Sequence, residues 1–216
     1  MNRGPDAAGL AGRPGQVYWL GGGSGAGKST IAQSLAQRHG LRLYATDAAM
    51  ADHASRCTAD DCPLLDGFKQ MSMDERWVAR PPEVMLEMFP WFKGEGFHLI
   101  IEDLLALPAD QPVIVEGFRL LPRYVQPLLA RPEAGLWLIP TPAFRAAAFK
   151  SRGTLRTIAG RTSDPDRALR NLLARDDLFT RRLQEDATAA GLATVGVDTG
   201  MTEAVLLDIV ERHFGL

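Results

Sequence analysis

Residues 22 to 29 read G-G-S-G-A-G-K-S, and this run is where the sequence carries its most specific chemistry. It satisfies G-x-x-x-x-G-K-[ST] in the context that spacing requires: an apolar strand, "QVYWL", before it and an amphipathic helix, "STIAQSLAQRH", after it. Along Gly22, Gly23, Ser24, Gly25, Ala26 and Gly27 the small side chains let backbone N–H groups converge on phosphate oxygens. The helix N-terminus adds partial positive charge, Lys28 reaches the β and γ phosphates, Ser29 offers a hydroxyl to Mg²⁺, and Thr30 completes the opening of the helix. The ligand this pattern calls for is a nucleoside triphosphate, ATP, with Mg²⁺.

Two carboxylates stand where they can act on such a ligand. Asp47 follows the apolar run "LYAT" and can orient an acceptor hydroxyl or take its proton; the alternative is that it caps the next helix. Glu116 closes "PVIVE" and can support Mg²⁺, as a metal ligand through water, or polarise a substrate; the alternative is an ion pair with Arg119. Nine basic residues run from Lys150 to Arg182, interleaved with acids that mark most of them as solvated helix surface. Among them Arg152, Arg170 and Arg175 are the candidates to neutralise a transferring phosphoryl group. Arg80, held on a stiff extended segment ahead of Pro81 and Pro82, and Arg119, just past "PVIVEG", are the candidates to contact the acceptor. Trp77 and Trp91 form either a wall for a flat ligand or the core of their own segment.

These residues need a scaffold that brings strand ends together. Short β-type runs at 16–20, 42–46, 112–116, 136–139 and 193–197 alternate with helical patterns, which argues for an α/β fold with parallel strands and crossover helices. Thr141 followed by Pro142 reads as an N-cap with proline at the first helical position, Ser163 with Asp166 resembles a capping box, and Gly191 is placed to end the helix between. The interval between the second and third strands is too long for a simple crossover. It is helical in pattern but interrupted at Pro81, Pro82, Pro90 and Gly94, so an inserted helical flap is expected over 48–110. The Gly-, Pro- and Ala-rich residues 1–15 read as a mobile tail, leaving 16–216 as one domain.

On the strand, loop and helix around Lys28, with Asp47 and Glu116 at later strand ends, the chain resembles the P-loop nucleoside triphosphate hydrolase superfamily. Within it the resemblance is to nucleotide kinases, shikimate and gluconate kinases, chloramphenicol phosphotransferase and uridine-kinase-like enzymes. It implies a three-layer fold, a five-stranded parallel sheet in order 2-3-1-4-5, an acceptor-binding flap between strands 2 and 3, and a lid over 151–164. The position of Asp47 is similar to that of the acceptor-binding or base aspartate of shikimate kinase and chloramphenicol phosphotransferase, and "VIVEG" is similar to strand endings of uridine-kinase-like enzymes. "FPWFKGEGFHLIIEDL" resembles a shikimate kinase helix only with a one-residue shortening, and the arginine that grips the acceptor carboxylate there has no counterpart. No D-x-x-G follows a middle strand, where GTPases carry one, since the third strand runs into "EGFR", and neither their N-K-x-D nor the L-S-G-G-Q run of transporter ATPases occurs. The expected activity is an ATP-dependent phosphotransferase acting on a small hydroxyl- or phosphate-bearing metabolite. The alternative is a regulatory ATPase that acts on a protein partner.

Composition narrows the setting. With 46% hydrophobic and 23% charged residues and a net charge of −2, the chain reads as an ordinary globular protein with no basic stripe for nucleic acid. No apolar run approaches the length that crosses a bilayer and none resembles a secretory core, so no membrane partner and a cytoplasmic location are expected. Two cysteines are too few for a disulfide-stapled fold. His53, Cys57 and Cys62 match no standard zinc spacing and read as a histidine and two reduced thiols on a helix and its following loop.

Overall fold

Continuous apolar runs form the centre of the fold because strands buried on both faces have no polar side to alternate with. β1 (Val17–Gly22), β3 (Val113–Glu116) and β4 (Gly135–Pro140) are of this kind. The computed structural model describes residues 17–152 and 154–216, and the side chains of all of these except 149–152 and 154. Residues 1–16, Gly153 and the side chain of Arg152, a candidate above, therefore lie outside the described residues.

β2 (Arg42–Ala45) and β5 (Thr194–Val197) complete a parallel sheet in the order β2-β3-β1-β4-β5. The register sets Leu20 beside Glu116 and Leu138 beside Val195, and it aligns Glu116 with Ala45. Side chains then divide by period two. Tyr18, Leu20, Ile114, Leu136 and Leu138 face α1 (Lys28–His39) and α12 (Glu203–Phe214). Trp19, Val113, Val115, Trp137 and Ile139 face α7 (Phe97–Ala106), α8 (Pro122–Val125) and α11 (Pro165–Ala189). The result is an α/β fold of three layers.

β1 extends two residues into the glycine run, with Gly21 beside Trp137 and Gly22 beside Leu138. A Cβ on Gly22 would lie 2.2 Å from the Leu138 carbonyl oxygen, and its φ of 137° is one that side chains rarely adopt. Gly22→Ala is therefore expected to cost about 3–4 kcal/mol, because the clash is with backbone that cannot rotate away. Urea unfolding of the variant checks this, and an unchanged midpoint would remove the argument.

Between β2 and β3 the chain forms α2 (Met50–Arg56), α3 (Pro63–Gln70), α4 (Met73–Trp77), α5 (Pro82–Met88), α6 (Pro90–Lys93) and α7. The breaks fall at the expected prolines and at Gly94, and Gly96 adds another. Both tryptophans of this segment are core residues. Trp77 packs with Leu155, Ala159, Ala168 and Leu172, while Trp91 packs with Cys62 and Leu65. Phe92 stacks on Phe179 with ring centroids 3.7 Å apart, which fixes the segment to α11.

After β4 come α9 (Pro142–Arg152), α10 (Thr154–Ala159) and α11. Thr141 caps α9 by accepting from Phe144 N at 3.3 Å. The capping box expected at Ser163 is not formed. Asp164 is the N-cap, accepting from Arg167 N at 3.0 Å with Pro165 at the first helical position, while Ser163 N donates to Asp74 Oδ1 at 2.8 Å. No helix among the described residues is long and apolar enough to cross a membrane.

Candidate active site

The carboxyl ends of β1, β2 and β3 and the start of α1 converge on the glycine-rich loop. Gly23 N donates to Leu138 O at 3.0 Å, and Lys28 Nζ donates to Gly23 O at 2.8 Å, so the lysine lies back over the loop and is buried. Gly27 is the N-cap of α1 with φ 82°, a conformation open to glycine, and no side chain caps the helix there. The first-turn N–H groups are thereby left to an anion rather than to a capping oxygen. Ser29 and Thr30 are exposed at this end.

A cavity of about 350 Å³ opens beside the loop. Ser24 to Ser29 form one side, and Asp47, Met50, Phe89, Phe92, Phe118, Leu155, Ile158, Arg175 and Asp176 form the rest. Three candidates far apart in sequence, Lys28, Asp47 and Arg175, thus face one space.

Asp47 does not cap a helix. The N-cap of α2 is Ala49, with no side-chain bond, and the Asp47 carboxylate instead accepts from Thr46 Oγ1 at 3.4 Å and from the Phe118 backbone. Its side chain is open to the cavity, yet the surrounding protein mass pushes its carboxyl above the ordinary aspartate value. Lys28, Thr46 and Arg119 oppose that rise.

Arg175 is buried on α11 and grips the equally buried Asp176 through Nε at 3.0 Å and Nη2 at 2.6 Å. Its guanidinium lies 4.5 Å from the Phe89 ring centroid and 5.0 Å from that of Phe92. The third nitrogen, Nη1, is buried without a hydrogen-bond partner among the described residues. Arg145, which no motif in the sequence marked, is also buried. It donates to the Asp176 carbonyl at 3.3 Å, to Thr180 Oγ1 at 3.2 Å and to Asp177, and its aliphatic stem packs beside Gly25.

Other candidates sit elsewhere. Arg170 is exposed on α11 and does not line the cavity. Arg80 does not line it either: its Nη1 contacts Met71 Sδ at 2.9 Å, and its carbonyl accepts from Asn171 at 3.4 Å. Glu116 is buried at the end of β3, in register between Leu20 and Ala45. Glu95 accepts from Leu64 N and Leu65 N, both at 2.8 Å, and so serves the start of α3.

Arg119 is a structural hub. It donates to Thr46 O at 3.2 Å, to Gly96 O at 3.1 Å and to His53 Nδ1 at 2.9 Å, and it lies 4.3 Å over the Trp91 ring. Burial brings its pKa down to about 10. Because a guanidinium can only donate, His53 Nδ1 must accept, so its proton is on Nε2 and goes to Asp103 Oδ2 at 2.8 Å. Burial also lowers the His53 pKa, in keeping with a neutral ring, and with both nitrogens engaged His53 has none to offer a metal. Cys57 and Cys62 touch through sulfur at 2.6 Å, and burial followed by the Cys57 contact pushes the Cys62 thiol up to about 12.

Asp103 ties this hub to Tyr44 and Arg56, each at 2.6 Å. Burial works to raise its pKa, but the hydrogen bonds from Arg56, His53 and Tyr44 together hold it down at about 2. A folded value below the unfolded value of about 3.9 adds stability above pH 4 that is lost as pH falls toward 2. The expected size is on the order of 2 kcal/mol. Urea unfolding from pH 5 to pH 2 should show Asp103→Asn less stable at pH 5, with the gap narrowing by that amount; a constant gap would contradict it.

A second cavity, of about 380 Å³, lies on the other side of the loop. It is lined by Gly25, Gly27 and Thr30 together with apolar side chains that include Ile31, Phe144, Val197, Met201 and Leu206. No local pattern in the sequence marks this cavity, because its apolar side chains come from separate elements that meet only in the folded chain.

Three solved structures are similar in fold to the chain. A gluconokinase from Sinorhizobium meliloti 1021 is 18% identical, with 94% of this chain and 93% of that chain covered and a TM-score of 0.47. An uncharacterized protein from Eubacterium ventriosum is 11% identical, with 93% and 98% covered and a TM-score of 0.48. Shikimate kinase from Acinetobacter baumannii, in complex with shikimate, is 14% identical, with 94% and 93% covered and a TM-score of 0.43. No protein-family model matches the sequence, and no curated protein matches it.

Proposed function

We propose that the chain is a phosphotransferase that moves the γ-phosphoryl group of ATP to a hydroxyl of a small acceptor. The observation that carries this reading is that Asp47 and Arg175 open onto the same cavity as Lys28 and Ser29. A loop that only bound nucleotide would need no carboxylate across the cavity from its lysine.

The residues divide the work. Main-chain N–H groups of the loop beyond Gly23 and of the first turn of α1 hold the phosphates, and the apolar cavity beside Thr30 and Phe144 takes the base. Lys28 exchanges its bond to Gly23 O for the β and γ phosphates, and Arg175 Nη1 meets the transferring group. Asp47 aligns the acceptor hydroxyl and takes its proton as the new bond to phosphorus forms. Arg119, by holding Thr46 O, fixes the strand end from which Asp47 projects, and so it positions rather than contacts the acceptor.

The oxygen donors Ser29, open at the head of α1, and Glu116, at the end of β3, suit Mg²⁺ in kind. When bound there, the ion supplies neutralising charge beside the phosphates. The helices over 48–110 form the acceptor side of the site, and Leu155 and Ile158, from the lid expected over 151–164, border it.

ADP release from Mg·ATP, measured with and without pools of small alcohols and metabolites, tests the reading. At least one pool is expected to raise release above the rate with water. Asp47→Asn should remove about 10²–10⁴ of that stimulated rate, the usual worth of a positioned base. In the unsubstituted protein kcat/KM should fall on the acid side, with a midpoint above the ordinary aspartate value. Nucleotide consumption that no acceptor stimulates would instead favour a regulatory ATPase.

A further inference from the structure

The wall that faces the loop across the 350 Å³ cavity is apolar: Met50, Phe89, Phe92, Phe118, Leu155 and Ile158. Only Asp47 and the Arg175–Asp176 pair interrupt it. Sugars, sugar acids and phosphorylated metabolites are recognised through many hydrogen bonds or through fixed cations, because their polar groups lose water on binding. This wall supplies neither.

Among the described residues, the arginines that were candidates to grip an anionic acceptor are committed elsewhere. Arg80 is turned to Met71. Arg119 is spent on Thr46, His53 and Gly96. The charge of Arg175 is matched by Asp176, and its one remaining nitrogen, buried without a partner among the described residues, is the one proposed above to meet the transferring phosphoryl group. Asp47, an acid at the same wall, repels a second anion brought beside it.

Resting on the phosphotransferase reading, we infer that the acceptor is an uncharged alcohol whose hydroxyl is carried on an apolar, ring-bearing body. Phe89, Phe92 and Phe118 offer edges and faces to a ring, and Met50 adapts to its outline. Part of the roughly 350 Å³ is taken by the phosphates at Ser24 to Ser29, and the space left against the apolar wall suits a small ring with a short side chain. In the reaction the hydroxyl oxygen bonds to the γ-phosphorus, the bond from that phosphorus to the β–γ bridging oxygen breaks, ADP leaves, and the hydroxyl proton passes to Asp47. The product is a phosphomonoester of the alcohol.

The test uses the full chain with Mg·ATP and two pools. One holds 3-phenyl-1-propanol, 2-(2-naphthyl)ethanol and cyclohexylmethanol; the other holds gluconate, shikimate and nucleoside monophosphates. Release of ADP and the mass of any phosphomonoester are read together. The neutral pool is expected to give product, and Phe118→Asp is expected to lose it by about tenfold or more, since a bare carboxylate is set against the ring. Met50→Asp, at a half-buried position, repeats the substitution where folding is less at risk.

Product from the anionic pool and none from the neutral one would overturn the inference while leaving phosphoryl transfer standing. If neither pool reacts, saturation-transfer NMR of the neutral alcohols with the protein and a non-hydrolysable ATP analogue separates the two claims. Binding that Met50→Asp abolishes supports the apolar acceptor site although transfer has failed, and absence of binding overturns the site as well.

Discussion

Lys28→Ala is expected to lower acceptor-stimulated ADP release by at least about 10²–10³-fold, the worth of one preorganised donor at a site where charge develops. Lys28 begins α1, is buried, and donates to Gly23 O within the loop that would hold the phosphates, so its ammonium is held at the loop itself. The fold should survive, since the variant leaves one carbonyl without its ammonium at a cost of about 1–3 kcal/mol. ADP release and urea unfolding measured on the same preparation decide the matter. A variant that folds and retains full turnover would end the phosphotransferase reading.

Arg175→Ala should fail in two ways at once. In the proposed role, loss of a guanidinium that meets the transferring phosphoryl group is worth about 10³–10⁵ in kcat. The same change strands the Asp176 carboxylate in a buried setting, at about 3–5 kcal/mol of stability, and removes the cation from over Phe89 and Phe92. The two effects separate in the double variant Arg175→Met with Asp176→Leu. Replacing a buried ion pair by apolar residues of similar size is often neutral or stabilising, so urea unfolding should recover while turnover stays lost. Recovery of both would make Arg175 a packing residue only.

What the sequence made legible was what is local. The loop from Gly22 to Ser29 and the five strands each reside in a few contiguous residues, and Asp47 and Glu116 could be found by their places at strand ends. Choosing between Arg170 and Arg175 was also within reach. Ala168, Leu172, Phe179 and Leu183 form the buried stripe of α11, and Arg175 falls on it while Arg170 falls off it. The role of Arg119 was not legible, because its partners Thr46, His53 and Gly96 are distant in sequence and two of them offer only a backbone carbonyl. Nor was the choice of Asp164 over Ser163 as the cap of α11, which turned on Asp74 reaching Ser163 from another helix.

The sheet order has a consequence for how the chain comes off the ribosome. β1 is the middle strand, yet its two neighbours begin only at Val113 and Gly135. At about 5–20 residues per second, the apolar run Tyr18 to Leu20 waits on the order of 5–20 s before either edge of β1 can be paired. Non-local parallel pairing of this kind is slow even after synthesis ends. The strand that carries the glycine-rich loop is thus the earliest made and among the last enclosed, and during that wait its open edges are where a nascent chain would be held or lost to aggregation.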